Sequence, residues 1–208
     1  ALYSNTTASN NTAVGFQAAY SNTNASSNTA VGWKASFSNS VGVENTAVGD
    51  QALFYHTGSF TTAVGYLALH AHPTGGECTA VGRVALAANT TGNYNVAMGS
   101  GALFTNTTGG SNTGLGLNAL NLNITGSNNV AVGTFALNYT TASNNTAVGR
   151  QAGYNITTGG QNVCLGLESG YNITSGAYNI MIGRHSRSSS ATVNYEIVIS
   201  SDNVDTPG

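Results

Sequence analysis

A pentad ending in glycine, x-Thr-Ala-Val-Gly, returns along this chain at a nearly fixed interval, and that interval leaves few folds open. The anchor glycines are Gly15, Gly32, Gly49, Gly65, Gly82, Gly99, Gly116, Gly133, Gly149, Gly166 and Gly183. Successive anchors lie 17 residues apart in eight steps and 16 in two, and Ser200 holds the same place 17 residues after Gly183. A short fixed period marks a stack of like units, each too small to bury its own apolar face. Helix is excluded because the period is not helical and Gly and Asn recur too often.

Counted from the anchor, each unit reads as fixed columns. Position −1 is always apolar: Val14, Val31, Val48, Val64, Val81, Met98, Leu115, Val132, Val148, Leu165 and Ile182, then Ile199. Position −3 is β-branched, from Thr12 and Thr29 to Val163 and Ile180. Strand side chains alternate, so −3 and −1 share a face. Their character predicts the buried face, with the eleven residues from Val14 to Ile182 in the −1 column as the repeat core. Position −7 is Gly or Ala, inside turns such as Thr107-Thr108-Gly109-Gly110-Ser111, where a positive φ or a tight bend is expected. Position +3 is Ala in nine units and +4 is often Leu, which predicts a second strand after the corner.

The fold expected is all-β: a parallel β-solenoid, or β-roll, of about eleven 16–17-residue coils. It covers residues 1–188, with 189–208 as a terminating coil or a transition to a following domain. Parallel coils stack at about 4.8 Å, so eleven make a rod of roughly 50 Å. The opening Ala1-Leu2-Tyr3 fits columns +3 to +5 of a coil already under way, which predicts a section of a longer fibre.

The x-Thr-Ala-Val-Gly-x-x-Ala-Leu pattern with its Thr-Thr-Gly-Ser-Asn turns resembles the repeats of bacteriophage tail-fibre proteins. It is also similar to the head repeats of YadA-type trimeric autotransporter adhesins, whose units are usually shorter. The resemblance covers about residues 1–188. It implies a left-handed β-roll with three chains around a fibre axis, on a virion tail or a cell surface. It further implies a homotrimer as the first partner, and a host cell-surface glycan or protein as the second. The function expected is a structural segment of a phage tail fibre, a stiff spacer with a part in host attachment. A bacterial trimeric adhesin head is the alternative of the same class.

Composition narrows the partners. Charged residues are 6% of the chain and the net charge is −2, so nothing favours nucleic acid or an anionic membrane surface. No apolar run approaches the ~18 residues of a membrane helix, so no membrane insertion is expected. The two cysteines, Cys78 and Cys164, sit in different columns five rungs apart, too far for a disulfide. Asn-x-Thr sequons such as Asn106-Thr107-Thr108 are explained by turn chemistry.

No enzyme, catalytic residue or cofactor is expected. A polysaccharide-degrading tailspike needs paired carboxyls about 5–9.5 Å apart. Glu44 and Glu77 share column −5 but stand two rungs apart, as solvated loop carboxylates would. An ice-binding solenoid needs a regular Thr array, which an inward Val column and a mixed Thr/Val column do not give. His70 and His72 are the candidate metal ligands, since i and i+2 share a strand face and imidazole suits zinc. Phe16, Trp33 and Tyr66 recur at +1 beside Arg83 and Arg150, which makes them candidate surface-contact residues. The aromatics at +5 (Tyr3, Tyr20, Phe37, Phe54, Phe104, Tyr154, Tyr171) are read first as a buried core or interface ladder.

Overall fold

The computed structural model describes residues 1–200. It holds twelve three-residue strands, β1 (Thr12–Val14) to β12 (Ile197–Ile199), one per coil, joined in chain order into one parallel sheet. The chain is therefore an all-β solenoid. Like stands on like: Thr29 pairs with Thr46, Ala30 with Ala47 and Val31 with Val48. Between coils the backbone is stitched in both directions, as in Thr46 N–H to Thr61 C=O at 2.9 Å and Gly49 N–H to Val31 C=O at 2.8 Å. β12 pairs in register with the strand before it, Ile180–Ile182, so the stack runs past residue 188. Residues 201–208 of the expected terminating segment lie outside the described residues.

The inward residue of each strand is the middle one. Ala30, Ala47, Ala63, Ala80, Ala97, Ala131 and Ala147 are fully buried, as are Cys164 and Met181 in the same column. Val14, Met98 and Val148 are 59%, 48% and 41% exposed. The expectation that Val14, Val31, Val48, Val64, Val81, Met98, Leu115, Val132, Val148, Leu165 and Ile182 form the repeat core is corrected: they face outward with the −3 column. The cause is size. A coil of 16–17 residues encloses a narrow section, so where Leu at +4 fills it the sheet presents only Ala or Gly inward, and the larger Cys164 fits where +4 is Gly170.

The expected second strand is also replaced. Residues +2 and +4 are left-handed, as at Leu67 (φ 54°) and Leu69 (φ 49°), so the chain curls through turns after the corner. In a strand, +3 and +4 would face opposite ways. Here both point in, and Ala68 with Leu69, Ala85 with Leu86 and Ala119 with Leu120 are fully buried. A left-handed non-glycine residue costs about 1–2 kcal/mol, which burying a leucine offsets at about 1.5–3 kcal/mol. Where +4 shrinks to Gly153 and Gly170, Ile156 and Ile173 turn inward three residues later and are fully buried.

The anchor glycine has a double cause. Gly65 has φ 135°, a region closed to side chains, and a Cβ there would run into the carbonyl of Gly82 on the next coil. The −7 glycines are set by close approach instead: a Cβ on Gly109 would strike the Gly126 carbonyl. The left-handed residue of that turn falls two places later, at Ser111 (φ 57°) and Asn128 (φ 58°).

Candidate interaction surface

With the alanines turned in, the outer face of the sheet carries two parallel rows. One is Thr or a β-branched residue at −3 and the other is apolar at −1, and the rows run over all twelve strands. Toward the N-terminal end the pairs are Thr29/Val31, Thr46/Val48 and Thr62/Val64; further on they become Val163/Leu165 and Ile180/Ile182. The stripe therefore grows more apolar along the chain.

Phe16, Trp33 and Tyr66 at +1 are exposed, by 65%, 42% and 47%. Lys34 places its ammonium 4.5 Å from the Trp33 ring. The +5 aromatics are not core, which corrects the core half of the expectation for them. They form a stack on the outside of the rod: Tyr3 on Tyr20 at 5.0 Å, Tyr20 on Phe37 at 5.2 Å, Phe37 on Phe54 at 5.0 Å, then His70 on Phe54 at 5.3 Å. Rings stacked face to face offer only their edges to a ligand. A second short stack joins Tyr154 and Tyr171 at 5.4 Å. Tyr139 meets Tyr154 edge-on, and its hydrogen bond, ahead of burial, raises the Tyr154 phenol.

His70 and His72 are not brought together, because the segment is a turn and not a strand. His70 belongs to the outer stack, where burial lowers its basicity. His72 points inward, is fully buried, and stacks on His56 with ring centroids 5.1 Å apart. The signal for this partner was available in the repeat, since His56 and His72 share column +7. Burial, and then the charge of the neighbouring His56, hold His72 down at about 4. Cys78 lies in the same coil as His72, and burial pushes its thiol up to about 11. Cys164 is pushed up to about 12 by burial. Both thiols are free. Among the described residues no group of three or more His, Cys, Asp or Glu is placed to hold a metal.

Charge is sparse. Glu44 and Glu77 are exposed on separate coils. Glu168 accepts from Arg150 at 2.7 Å and lies 3.6 Å from His185 and 4.0 Å from Arg187. Exposed pairs of this kind contribute about 0–1 kcal/mol.

No family model matches the chain, and no curated protein and no solved structure match it. The fold and surface define a class: a parallel β-solenoid with an interior of alanine, leucine and asparagine and an apolar stripe on its outer sheet.

Proposed function

We propose that the chain is a structural segment of a phage tail fibre, assembled from three copies, that acts as a stiff spacer and takes part in attachment to a host surface. A bacterial trimeric surface adhesin head is the alternative within the same class. The observation that carries this reading is the outward −3/−1 stripe. Contiguous exposed apolar patches are rarely large on monomers and mark association surfaces. This stripe runs the whole length of the rod, and a second copy of the same stripe matches it rung for rung. Stiffness follows from register: every coil bonds to the next through backbone and side chains. Three copies would then present any contact three times, which raises avidity without new contacts.

Light scattering and sedimentation test the assembly. The expected result is three times the chain mass at micromolar concentration, with Val64→Glu plus Val81→Glu lowering it toward a single chain. A folded single chain for the unmodified protein sinks the proposal.

One observation favours a second reading. The Thr column faces outward at Thr29, Thr46, Thr62 and Thr79, as the surface of an ice-binding solenoid would. Against it, Val96, Val130, Val163 and Ile180 interrupt that column. A thermal-hysteresis measurement separates the two, since a fibre segment leaves the freezing point of its solution unchanged.

A further inference from the structure

At one place on the outer surface two columns shrink on adjacent coils, to Ala87 and to Gly101. Column +5 carries a ring from Tyr3 to His70, then drops to Ala87, and returns as Phe104. Column +2 carries a side chain in ten coils and drops to Gly101 in one. The backbone does not require that glycine. Val84 and Asn118 adopt the same left-handed conformation on either side of it (φ 51° and 52°, against 68° at Gly101).

At the Gly101 gap lies a hollow of about 260 Å³ lined by Arg83, Val84, Ser100, Gly101, Phe104, Asn118 and Asn121. It is smaller than the ~300–1,000 Å³ of a drug-sized pocket and has room for one sugar ring. Phe104 is 39% exposed and has no ring stacked on it, unlike the aromatics from Tyr3 to Phe54. Its neighbour in the column, Ala87, puts no ring on that face.

The polar groups around that face are fixed and partly unused. Asn121 donates through Nδ2 to the Gly101 carbonyl at 2.8 Å and to Asn118 Oδ1 at 3.3 Å. This spends both N–H donors of Asn121 and occupies Asn118 Oδ1, and it leaves Asn121 Oδ1, Asn118 Nδ2 and the Ser100 hydroxyl without partners among the described residues. A Cβ on Gly101 would strike Asn118 Oδ1, so the glycine makes room for the amide pair. Arg83 is exposed at the rim and makes no ion pair among the described residues.

We propose that this hollow is a subsite for one hexuronic acid residue of an acidic polysaccharide. The C–H face of the pyranose lies on the open face of Phe104. Its carboxylate pairs with the Arg83 guanidinium, whose fork matches two carboxylate oxygens. Asn118 Nδ2 donates to, and Asn121 Oδ1 accepts from, ring hydroxyls. The hollow is lined from columns +1, +2 and +5, past the anchor corner, and not from the −3/−1 stripe. Its presence does not depend on the fibre reading.

The test is ligand-observed saturation-transfer NMR on the 208-residue chain, titrated with an oligogalacturonate and with a maltooligosaccharide of equal length. Expected is saturable binding that prefers the uronate. Ala87→Phe, which closes the gap by continuing the outer stack, and Phe104→Ala should each weaken binding at least tenfold. Arg83→Gln should remove the preference for uronate while leaving weak neutral-sugar binding, and Trp33→Ala should change nothing. Circular dichroism confirms that the variants fold, and Ala87→Phe and Arg83→Gln suffice if Phe104→Ala does not. The proposal is overturned by absence of saturable binding, by affinity unchanged in Ala87→Phe, or by loss on Trp33→Ala instead. An unexpected chain mass in the light-scattering experiment would count against the trimer and leave this result standing.

Discussion

One interior column of the rod, up to residue 123, is lined in two ways. Column +7 is asparagine at Asn22, Asn39, Asn89, Asn106 and Asn123, and histidine at His56 and His72, and all seven are buried. Asn22 and Asn39 bond within their own turns, whereas from Asn89 to Asn123 the amides answer one another. Asn106 Nδ2 donates to Asn89 Oδ1 at 2.8 Å and to the Gly109 carbonyl at 2.9 Å, and Asn106 Oδ1 accepts from Asn123 at 3.0 Å. In the histidine stretch His56 Nδ1 donates to the His72 carbonyl at 2.8 Å, which fixes the Nδ1–H tautomer. Among the described residues His56 Nε2 and both ring nitrogens of His72 make no hydrogen bond of good geometry. The neighbouring column −4, asparagine at Asn28, Asn45 and Asn95, changes at the same coils: Thr61 donates its N–H to Asn45 Oδ1, Cys78 donates only its thiol, to the Gly92 carbonyl at 3.4 Å, and the amide run resumes at Asn95. The same backbone accepts both linings. Geometry therefore does not require the amide; hydrogen-bond satisfaction favours it.

The largest expected effect comes from breaking the asparagine side. Asn106→Leu removes three side-chain hydrogen bonds and strands Asn89 Oδ1 in the interior. At about 1 kcal/mol each the loss is about 3 kcal/mol. His72→Leu removes no side-chain hydrogen bond of good geometry and should be neutral or stabilising. Hydrogen exchange at the flanking amides is the preferred readout, because long repeat arrays need not unfold as one unit. Equal losses in the two variants would show that the ladder contributes packing only.

Acid should act on the other side. Burial lowers His56 and His72 below the ordinary 6.5, His72 to about 4. The unfolded chain then binds more protons than the folded one between those values. Stability is complete above about pH 6.5 and falls as the pH drops toward 4. For His72 alone the loss from pH 7 to pH 5 is about 2 kcal/mol, and His56 adds in the same direction. Cys78 reports the opening: a disulfide reagent active in acid should modify it well before Cys164 at pH 5. Equal rates at the two thiols would mean that acid does not open this stretch selectively.

Much of the fold was legible because the anchor glycines carry it. A backbone at φ near 135° against the next coil's carbonyl admits no other residue, so Gly65 and its equivalents give the coil length and the in-register stack. The inward face was not legible from hydropathy. Alternation says that Thr62 and Val64 share a face and is silent on which face it is. The better signal was size: the −2 column is Ala, Gly or Cys from Ala13 to Cys164, whereas −1 admits Met98 and Leu115. The pairing of His70 with His72 failed for a related reason. Left-handed residues at +2 and +4 turn neighbours to the same side, so strand spacing does not apply there. Only the column alignment could join His56 to His72, and only coordinates could show Phe104 with an open face.

The smallest effect expected is a repair. His56→Asn with His72→Asn places an amide at every rung from Asn22 to Asn123. Gly75 follows His72 by three residues, as Gly42 and Gly92 follow Asn39 and Asn89, and Gly58 follows His56 by two. New ladder hydrogen bonds should contribute about 1 kcal/mol each. The smaller side chain leaves unfilled space that takes back part of this gain. A net gain of about 1 kcal/mol at pH 7 is therefore expected, read as slower hydrogen exchange between residues 56 and 78. The acid loss should vanish in the same variant. If exchange instead quickens at pH 7 while the acid loss persists, the imidazoles are required for packing and the titrating group lies elsewhere.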